Sequence, residues 1–223
     1  MVPGNADWSA LGLTGNPFEA VAPGEHLEWA DVAAPIRTAI EKRHFLVEVV
    51  GPRGAGKTTT LRWFASHHAD ARYVEVTGPA LDGLPWPGAA ALCLDDVDRA
   101  SRDAVNGAVK EAHLRGVSLL LGVQGSLRES VPELASFELG RHQSLSWVSR
   151  RVAAMSLVGH AHFDFDTVAH ALFPRVSRVN EALLRVLHAL AENLARGLEA
   201  HDALDAALAE VRQDARLGPL LHG

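Results

Sequence analysis

The sequence is poor in cysteine, in positive charge and in long apolar runs. Its one cysteine, Cys93, cannot form an intramolecular disulfide, and a zinc site built on cysteines is excluded. Lysine and arginine number 21 against 27 aspartate and glutamate, a formal net charge of −6. That balance argues against a surface built throughout to hold nucleic acid and leaves room only for a local basic patch. No apolar run approaches the length needed to cross a bilayer. Met1 to Trp8 show no basic segment followed by an apolar stretch, so no secretory signal is expected and the expected location is the cytoplasm. No repeat of solenoid period and no low-complexity block is found.

What is present suffices for a folded enzyme-sized unit. The apolar fraction of 48% can fill a core. A length of 223 residues suits one α/β domain with a small helical domain attached.

Residues 1–26, rich in Gly, Pro and Asn, read as mostly irregular. Residues 31–43 read as a helix with Asp31 as N-cap and Ile36 and Ile40 on its buried face. Phe45 to Val50 is an apolar run that suits a buried parallel strand, and a helix is expected from Lys57 to His68. Further strands are expected at 72–76, 90–94 and 117–123, with a weak one around 137–139. A proline-rich loop fills 77–90, and a short helix is expected near 126–130. Ser101 should cap a helix that Gly116 terminates. Strands alternating with helices imply a mostly parallel five-stranded sheet covered on both faces.

From Leu145 the pattern is helical only. Leu145, Val148, Val152 and Met155 share one face, and Asp164 or Asp166 can start a second helix. Val179, Leu183, Leu187, Leu190 and Leu194 form the clearest helical stripe, and a last helix covers roughly 201–214. The expected division is an α/β domain over 1–144 and a helical lid over 145–223.

Residues 51–58, Gly51-Pro52-Arg53-Gly54-Ala55-Gly56-Lys57-Thr58, fit G-x-x-x-x-G-K-[ST] at every fixed position, between a predicted strand and a predicted helix. The glycines let the backbone curl so that successive N–H groups can face phosphate oxygens. The helix that follows adds its positive N-terminal end. Lys57 then carries charge to the β- and γ-phosphates, the Thr58 hydroxyl can ligate Mg²⁺, and Thr59 extends the binding segment. ATP or ADP with Mg²⁺ is the expected ligand. The second motif is Ala91-Leu92-Cys93-Leu94-Asp95-Asp96, an apolar strand ending in carboxylates. Such a strand delivers Asp95 to the edge where the ion is held, usually through a metal-bound water, and Asp96 is placed to polarise the attacking water. Cys93 reads as plain core.

With these motifs in order, the chain resembles the AAA+ P-loop ATPases, and within them the compact bacterial group of ExeA-type secretion ATPases and TnsC-type transposon-targeting ATPases. Leu13-Thr14-Gly15-Asn16-Pro17-Phe18 is similar to the family's N-terminal "NPF" segment, and 51–58 and 91–96 to its Walker A and Walker B motifs. Leu121 to Arg128 is similar to its "VGQPELR" strand end, and Ser177-Arg178-Val179-Asn180 to the "PRxIN" start of a lid helix. The resemblance implies that Gln124 is the sensor-1 group and Arg178 the sensor-2 group, both facing the γ-phosphate. It makes Arg128 and Arg141 the candidates for an arginine finger acting in trans. It also implies an ATPase that assembles into a homo-oligomer in its ATP state and acts on a protein or DNA partner.

Two departures stand out. Asp96 occupies the position of the family's glutamate and is one methylene shorter, which predicts slow hydrolysis and a switch-like use of nucleotide. Ser177 stands where the family has proline. Two other functions compete with an ATPase. One is a scaffold that binds nucleotide and hardly turns it over. The other is a signalling NTPase of the STAND type, suggested by Leu94 to Val97 and opposed by the lack of a Gly-x-Pro lid motif. A GTPase lacks support because no Asn-Lys-x-Asp motif is present. His160 and His162 are spaced to share a metal, but no further ligand is evident and a solvated loop is preferred. His67-His68 read as surface, and Arg141-His142 and Arg150-Arg151 read as solvated helix surface in preference to a face for DNA or a partner. Trp86 is either an exposed anchor or a ring folded back on the sheet.

Overall fold

The structure, a computed structural model, describes residues 6–19, 34–42, 44–139, 145–157 and 161–222. The chain divides into two compact units, one of residues 24–143 and one joining residues 1–23 to 144–223.

The first unit is an α/β layer structure with elements α1 (Ala34–Ile40), β1 (Leu46–Val50), α2 (Lys57–His67), β2 (Ala71–Glu75), β3 (Ala91–Asp95), α3 (Arg102–Arg115), β4 (Ser118–Val123) and β5 (Ala135–Glu138). The strands run in the order β2-β3-β4-β1-β5, and every pairing is parallel. β3 and β4 are buried along their whole length, which is why they read as continuous apolar runs and not as alternating ones. On one face Leu92, Leu94, Leu119 and Leu121 pack with Val105, Val109 and Ala112 of α3. On the other, Val47, Val49, Cys93 and Leu120 pack with Leu61 and Phe64 of α2 and with Ile36 and Ile40 of α1. Asp31, the expected cap of α1, lies outside the described residues.

Local signals end the elements as chemistry demands. The Ser101 hydroxyl accepts from Ala104 N at the start of α3, and Gly116 ends that helix with φ 65°. The chain returns to the sheet on the β1 side of β4, so β4 is followed by a crossover to β5 beyond β1. In parallel sheets the crevice outside the carboxyl ends of the strands, next to such a change of direction, is where ligands collect.

One expectation fails here. Residues 126–130 form no helix; a single turn follows Leu127, with Ser130 N and Val131 N donating to Leu127 O. Gln124 N, Gly125 N and Leu127 N donate to the carboxylates of Asp98 and Glu48, and the helical bonding stops after the one turn.

The second unit contains α4 (Ser146–Met155), α5 (Phe165–Leu172), α6 (Asn180–Ala195) and α7 (Ala200–Gln213). Asp164 caps α5 by accepting from Thr167 N and Oγ1. Leu183, Leu187 and Leu190 of α6 are fully buried, as their spacing predicts.

The N-terminal segment is not irregular padding on the α/β layer. It forms a 3-10 turn at Trp8–Leu11, and Leu13 bridges to Ser156. Asn16 is buried: its Nδ2 donates to His188 O, and its Oδ1 accepts from Phe18 N. Phe18 packs edge-on against Phe165, with ring centroids 5.2 Å apart. The expected grouping of the N-terminal segment with the α/β domain does not hold for the described residues 6–19, which cluster with the helical unit. Arg151 also departs from its expected place on a solvated surface. It is buried, its guanidinium donates to Pro17 O (3.4 Å) and lies over the Trp147 ring, and burial lowers its pKa. No helix among the described residues is long and apolar enough to cross a membrane.

Candidate nucleotide site

β1 ends at Val50, and the loop 51–56 carries the chain into α2. Gly51 N donates to Val123 O, tying the loop's first residue to the end of β4. A Cβ at Gly51 would meet Ala55 Cβ at 3.2 Å and Leu139 Cβ at 3.3 Å, so a side chain there would press both neighbours outward by a few tenths of an ångström. Gly54 and Gly56 have φ of 79° and 100°, in the left-handed region that side chains disfavour. Gly56 is the N-cap of α2 and supplies no capping side chain, so α2 starts bare, with its N-terminal dipole end toward the loop.

Lys57 is buried, and its ammonium donates to Gly51 O (2.8 Å) and Pro52 O (3.1 Å). Burial lowers its pKa, opposed by the charges of Asp95, Asp98 and Asp96. An open cleft of ≈ 380 Å³ lies beside it, lined by Arg53, Gly54, Gly56, Lys57, Thr58, Thr59, Asp96, Asp98, Arg99 and Gln124. Pro52 is exposed at the turn and Ala55 is buried behind it.

Asp95, the last residue of β3, is almost fully buried. Its Oδ2 accepts from the Tyr73 hydroxyl (2.8 Å) and its Oδ1 from Asp96 N (3.1 Å). Burial first and the bond to Asp95 second push the Tyr73 phenol up to about 12. The Arg62 guanidinium lies over the Tyr73 ring at 4.9 Å. A Cβ at Gly122 would come within 2.8 Å of Asp95 Oδ1, so β4 gives up a side chain where β3 delivers its carboxylate. Cys93 is buried in β3, its thiol pushed up to about 12 by that burial.

Asp96 is the first residue past the sheet and has φ 55°. Its carboxylate pairs with Arg99 at 3.0 Å. Asp98 accepts from Gln124 N (2.7 Å) and Gly125 N (3.3 Å), which holds the tip of β4 against the end of β3. Thr58 and Asp95 offer oxygen, the donor type of a hard divalent ion. Among the described residues no group of three or more His, Cys, Asp or Glu is placed to hold a metal by itself.

The α/β unit thus gathers the loop, Lys57, Thr58, Thr59, Asp96 and Gln124 around one cleft, with Asp95 behind it. Arg178 belongs to the helical unit. It is exposed, lies two residues before α6, and shares with Ser177 a left-handed backbone, φ 55° and 51°. Arg128 is exposed after the β4 loop; Arg141 and His160 lie outside the described residues. Trp86 is half-buried against the core with the Arg115 guanidinium near its ring, at 6.0 Å.

Tyr73, Asp98, Arg99, Gly122 and Glu48 went unassigned in the sequence. Gly122 did leave a signal: a glycine inside the apolar run Leu119-Leu120-Leu121-Gly122-Val123 marks close backbone approach.

No family model matches the chain, and no curated protein is similar to it. Solved structures are. Two single-substitution variants of RuvB from Thermotoga maritima superpose with TM-scores of 0.53 and 0.51 at 16% and 18% identity. They cover 87% and 82% of this chain and 71% and 67% of theirs. AMPPCP-bound DnaA from Aquifex aeolicus follows with a TM-score of 0.41 at 13% identity, covering 89% of this chain and 86% of its own. With its parallel sheet and the loop after β1, the chain therefore has the α/β P-loop NTPase fold of the AAA+ type.

Proposed function

We propose that the chain binds ATP with Mg²⁺ in the cleft beside Lys57 and works as a slow ATPase whose nucleotide state drives assembly. The observation that carries this reading is the convergence on one cleft of a glycine-built loop, a buried lysine and the carboxylate of Asp96, next to the buried Asp95 that ends β3. A buried ammonium among carbonyl oxygens and aspartates is a fixed positive charge with little solvation to lose when phosphate approaches.

Thr58 and Asp95 would hold Mg²⁺ together with phosphate oxygens and water, and the ion would neutralise charge developing on the phosphates. Two protein donors suit an ion that keeps several waters. Gln124 extends from the tip of β4 into the same cleft and serves as the group that distinguishes triphosphate from diphosphate. Arg178 is assigned to the same task from the lid, and Arg128 and Arg141 stay the alternative candidates for an arginine finger in trans. The closer likeness to the ExeA-type and TnsC-type ATPases rests on the sequence motifs, supported by the burial of Asn16 and Phe18.

One observation favours a second reading, a scaffold that binds ATP without turning it over. The Asp96 carboxylate is paired with Arg99 on a backbone of positive φ, and it is one methylene short of glutamate. Measuring Mg²⁺-dependent ATP binding and phosphate release on the same preparation separates the two. Binding with slow release supports the switch, binding with none the scaffold, and no binding refutes both. Particle mass with and without a non-hydrolysable ATP analogue, with and without DNA, tests assembly and the class of partner.

A further inference from the structure

Four consecutive residues after β4 give their donors to two carboxylates. Gln124 N and Gly125 N donate to Asp98. Ser126 Oγ donates to Glu48 Oε1 (2.5 Å) and Leu127 N to Glu48 Oε2 (2.7 Å). Glu48 is the middle residue of β1 and has 0% exposure. Its neighbours in the strand, Leu46, Val47, Val49 and Val50, are all apolar. A carboxylate at such a position is costly unless hydrogen-bonded, and an apolar side chain would serve the core equally well. The acid therefore answers to the loop and not to the sheet. It stands two residues before the end of the strand that carries the phosphate loop, and it grips the segment from which Gln124 enters the cleft.

We infer that Glu48 is a positioning residue that couples the phosphate-loop strand to the γ-phosphate-sensing loop. This rests on the reading of Gln124 given under Proposed function. Asp98 fixes the backbone of Gln124 and Gly125 from the β3 side, and Glu48 fixes Ser126 and Leu127 from the β1 side. With both in place the loop has one conformation, and Gln124 meets a γ-phosphate without first being ordered. Without Glu48, Leu127 N and Ser126 Oγ lose their partner and the loop is held at one end only.

The test titrates ADP and a non-hydrolysable ATP analogue, each with Mg²⁺, against the full chain and its variants, with thermal melting as a folding control. Wild type is expected to prefer the ATP analogue, and Gln124→Ala is expected to lower that preference by about tenfold or more, the equivalent of one hydrogen bond to a charged group. Glu48→Leu is expected to lower it equally while leaving ADP binding unchanged. Adding Gln124→Ala to Glu48→Leu is expected to cost nothing further, because both act on one contact. Glu48→Gln is expected to keep most of the preference: its amide oxygen accepts from Leu127 N, and its amide nitrogen donates to a Ser126 hydroxyl turned to accept. Ser126→Ala changes no residue of β1 and keeps the Leu127 N bond to Glu48, so it is the milder variant should Glu48→Leu fail to fold, and it is expected to lose part of the preference. The inference is overturned if Glu48→Leu and Ser126→Ala keep the full preference that Gln124→Ala loses, or if the losses in the double variant add. If Gln124→Ala itself keeps the preference, the assignment of Gln124 falls and this inference falls with it.

Discussion

The Tyr73 hydroxyl donates to Asp95 Oδ2 at 2.8 Å across two neighbouring parallel strands. Tyr73 is paired with Cys93 and Glu75 with Asp95, so the two side chains stand two residues apart on one face of the sheet. This bond fixes the carboxylate that the proposed site needs at the edge of β3, and it makes Tyr73 a reporter on that carboxylate.

Tyr73 is the only tyrosine in the chain, so phenolate absorbance reads it alone. Its folded pKa is raised, by burial first, from 10.0 to about 12. The neutral phenol is thus favoured by folding. The stability it contributes is complete below pH 10.0 and is lost as pH rises from there toward about 12. In the folded protein, phenolate should emerge only near the upper value, and Asp95→Asn should lower it part of the way. A phenol that ionises at its ordinary value in the native state would contradict the bond and the burial together.

Gly122→Ala should be costly although alanine is the smallest change available. The new methyl would fall 2.8 Å from Asp95 Oδ1 and 3.3 Å from Leu61 Cδ2, inside a closed layer between β3, β4 and α2. Overpacking of this kind costs roughly 1–3 kcal/mol. Urea unfolding measures it. Wild-type stability in the variant would show that β3 has slack at its end.

Hydrolysis should be slow, and both Asp96→Glu and Arg99→Ala should raise it. The first restores the missing methylene. The second releases the carboxylate from its 3.0 Å ion pair, a partly exposed pair of at most about 1 kcal/mol, so its effect on rate should be the smaller. Steady-state phosphate release decides it: unchanged rates in both variants would mean that neither the length nor the pairing of Asp96 limits turnover.

Arg178→Ala should weaken binding of an ATP analogue more than of ADP, by roughly the 1.5–3 kcal/mol of a hydrogen bond to a charged group. Its guanidinium is a planar fork suited to phosphate oxygens, and ADP offers no γ-phosphate. Ser177 and Arg178 both hold a left-handed backbone, which fixes the turn that presents the side chain. Equal losses for the two nucleotides, or none, would return Arg178 to the surface of the helical unit.

Much of the candidate site is readable in the sequence because its motifs are local. The loop 51–58 and the pair Asp95-Asp96 each announce themselves within eight residues or fewer, since glycine, lysine and carboxylate must follow a strand at fixed spacing. What stayed hidden depends on register between strands far apart in the chain. Tyr73 matters because β2 lies beside β3, and Gly122 because β4 lies beside β3 on the other side. Glu48 bonds to residues 78 and 79 positions away, a pairing that no local pattern announces. Arg151 reads as surface because nothing nearby reveals that Pro17 O, 134 positions away, covers it. The N-terminal segment has the composition of a loop, yet Leu13 and Phe18 are 1% exposed in the core of the helical unit.

The most direct measurement is calorimetric titration of Mg²⁺-ATP into wild type and Lys57→Ala, with circular dichroism to confirm that both are folded. Lys57 donates to the loop's own carbonyls Gly51 O and Pro52 O, and its charge is held against Asp95, Asp98 and Asp96. Its removal should leave the sheet intact and take away the cleft's main positive charge. Wild type should bind with a defined stoichiometry, and Lys57→Ala should lose binding while keeping its secondary structure. A folded Lys57→Ala that binds ATP as wild type does would contradict the assignment of this cleft as the nucleotide site.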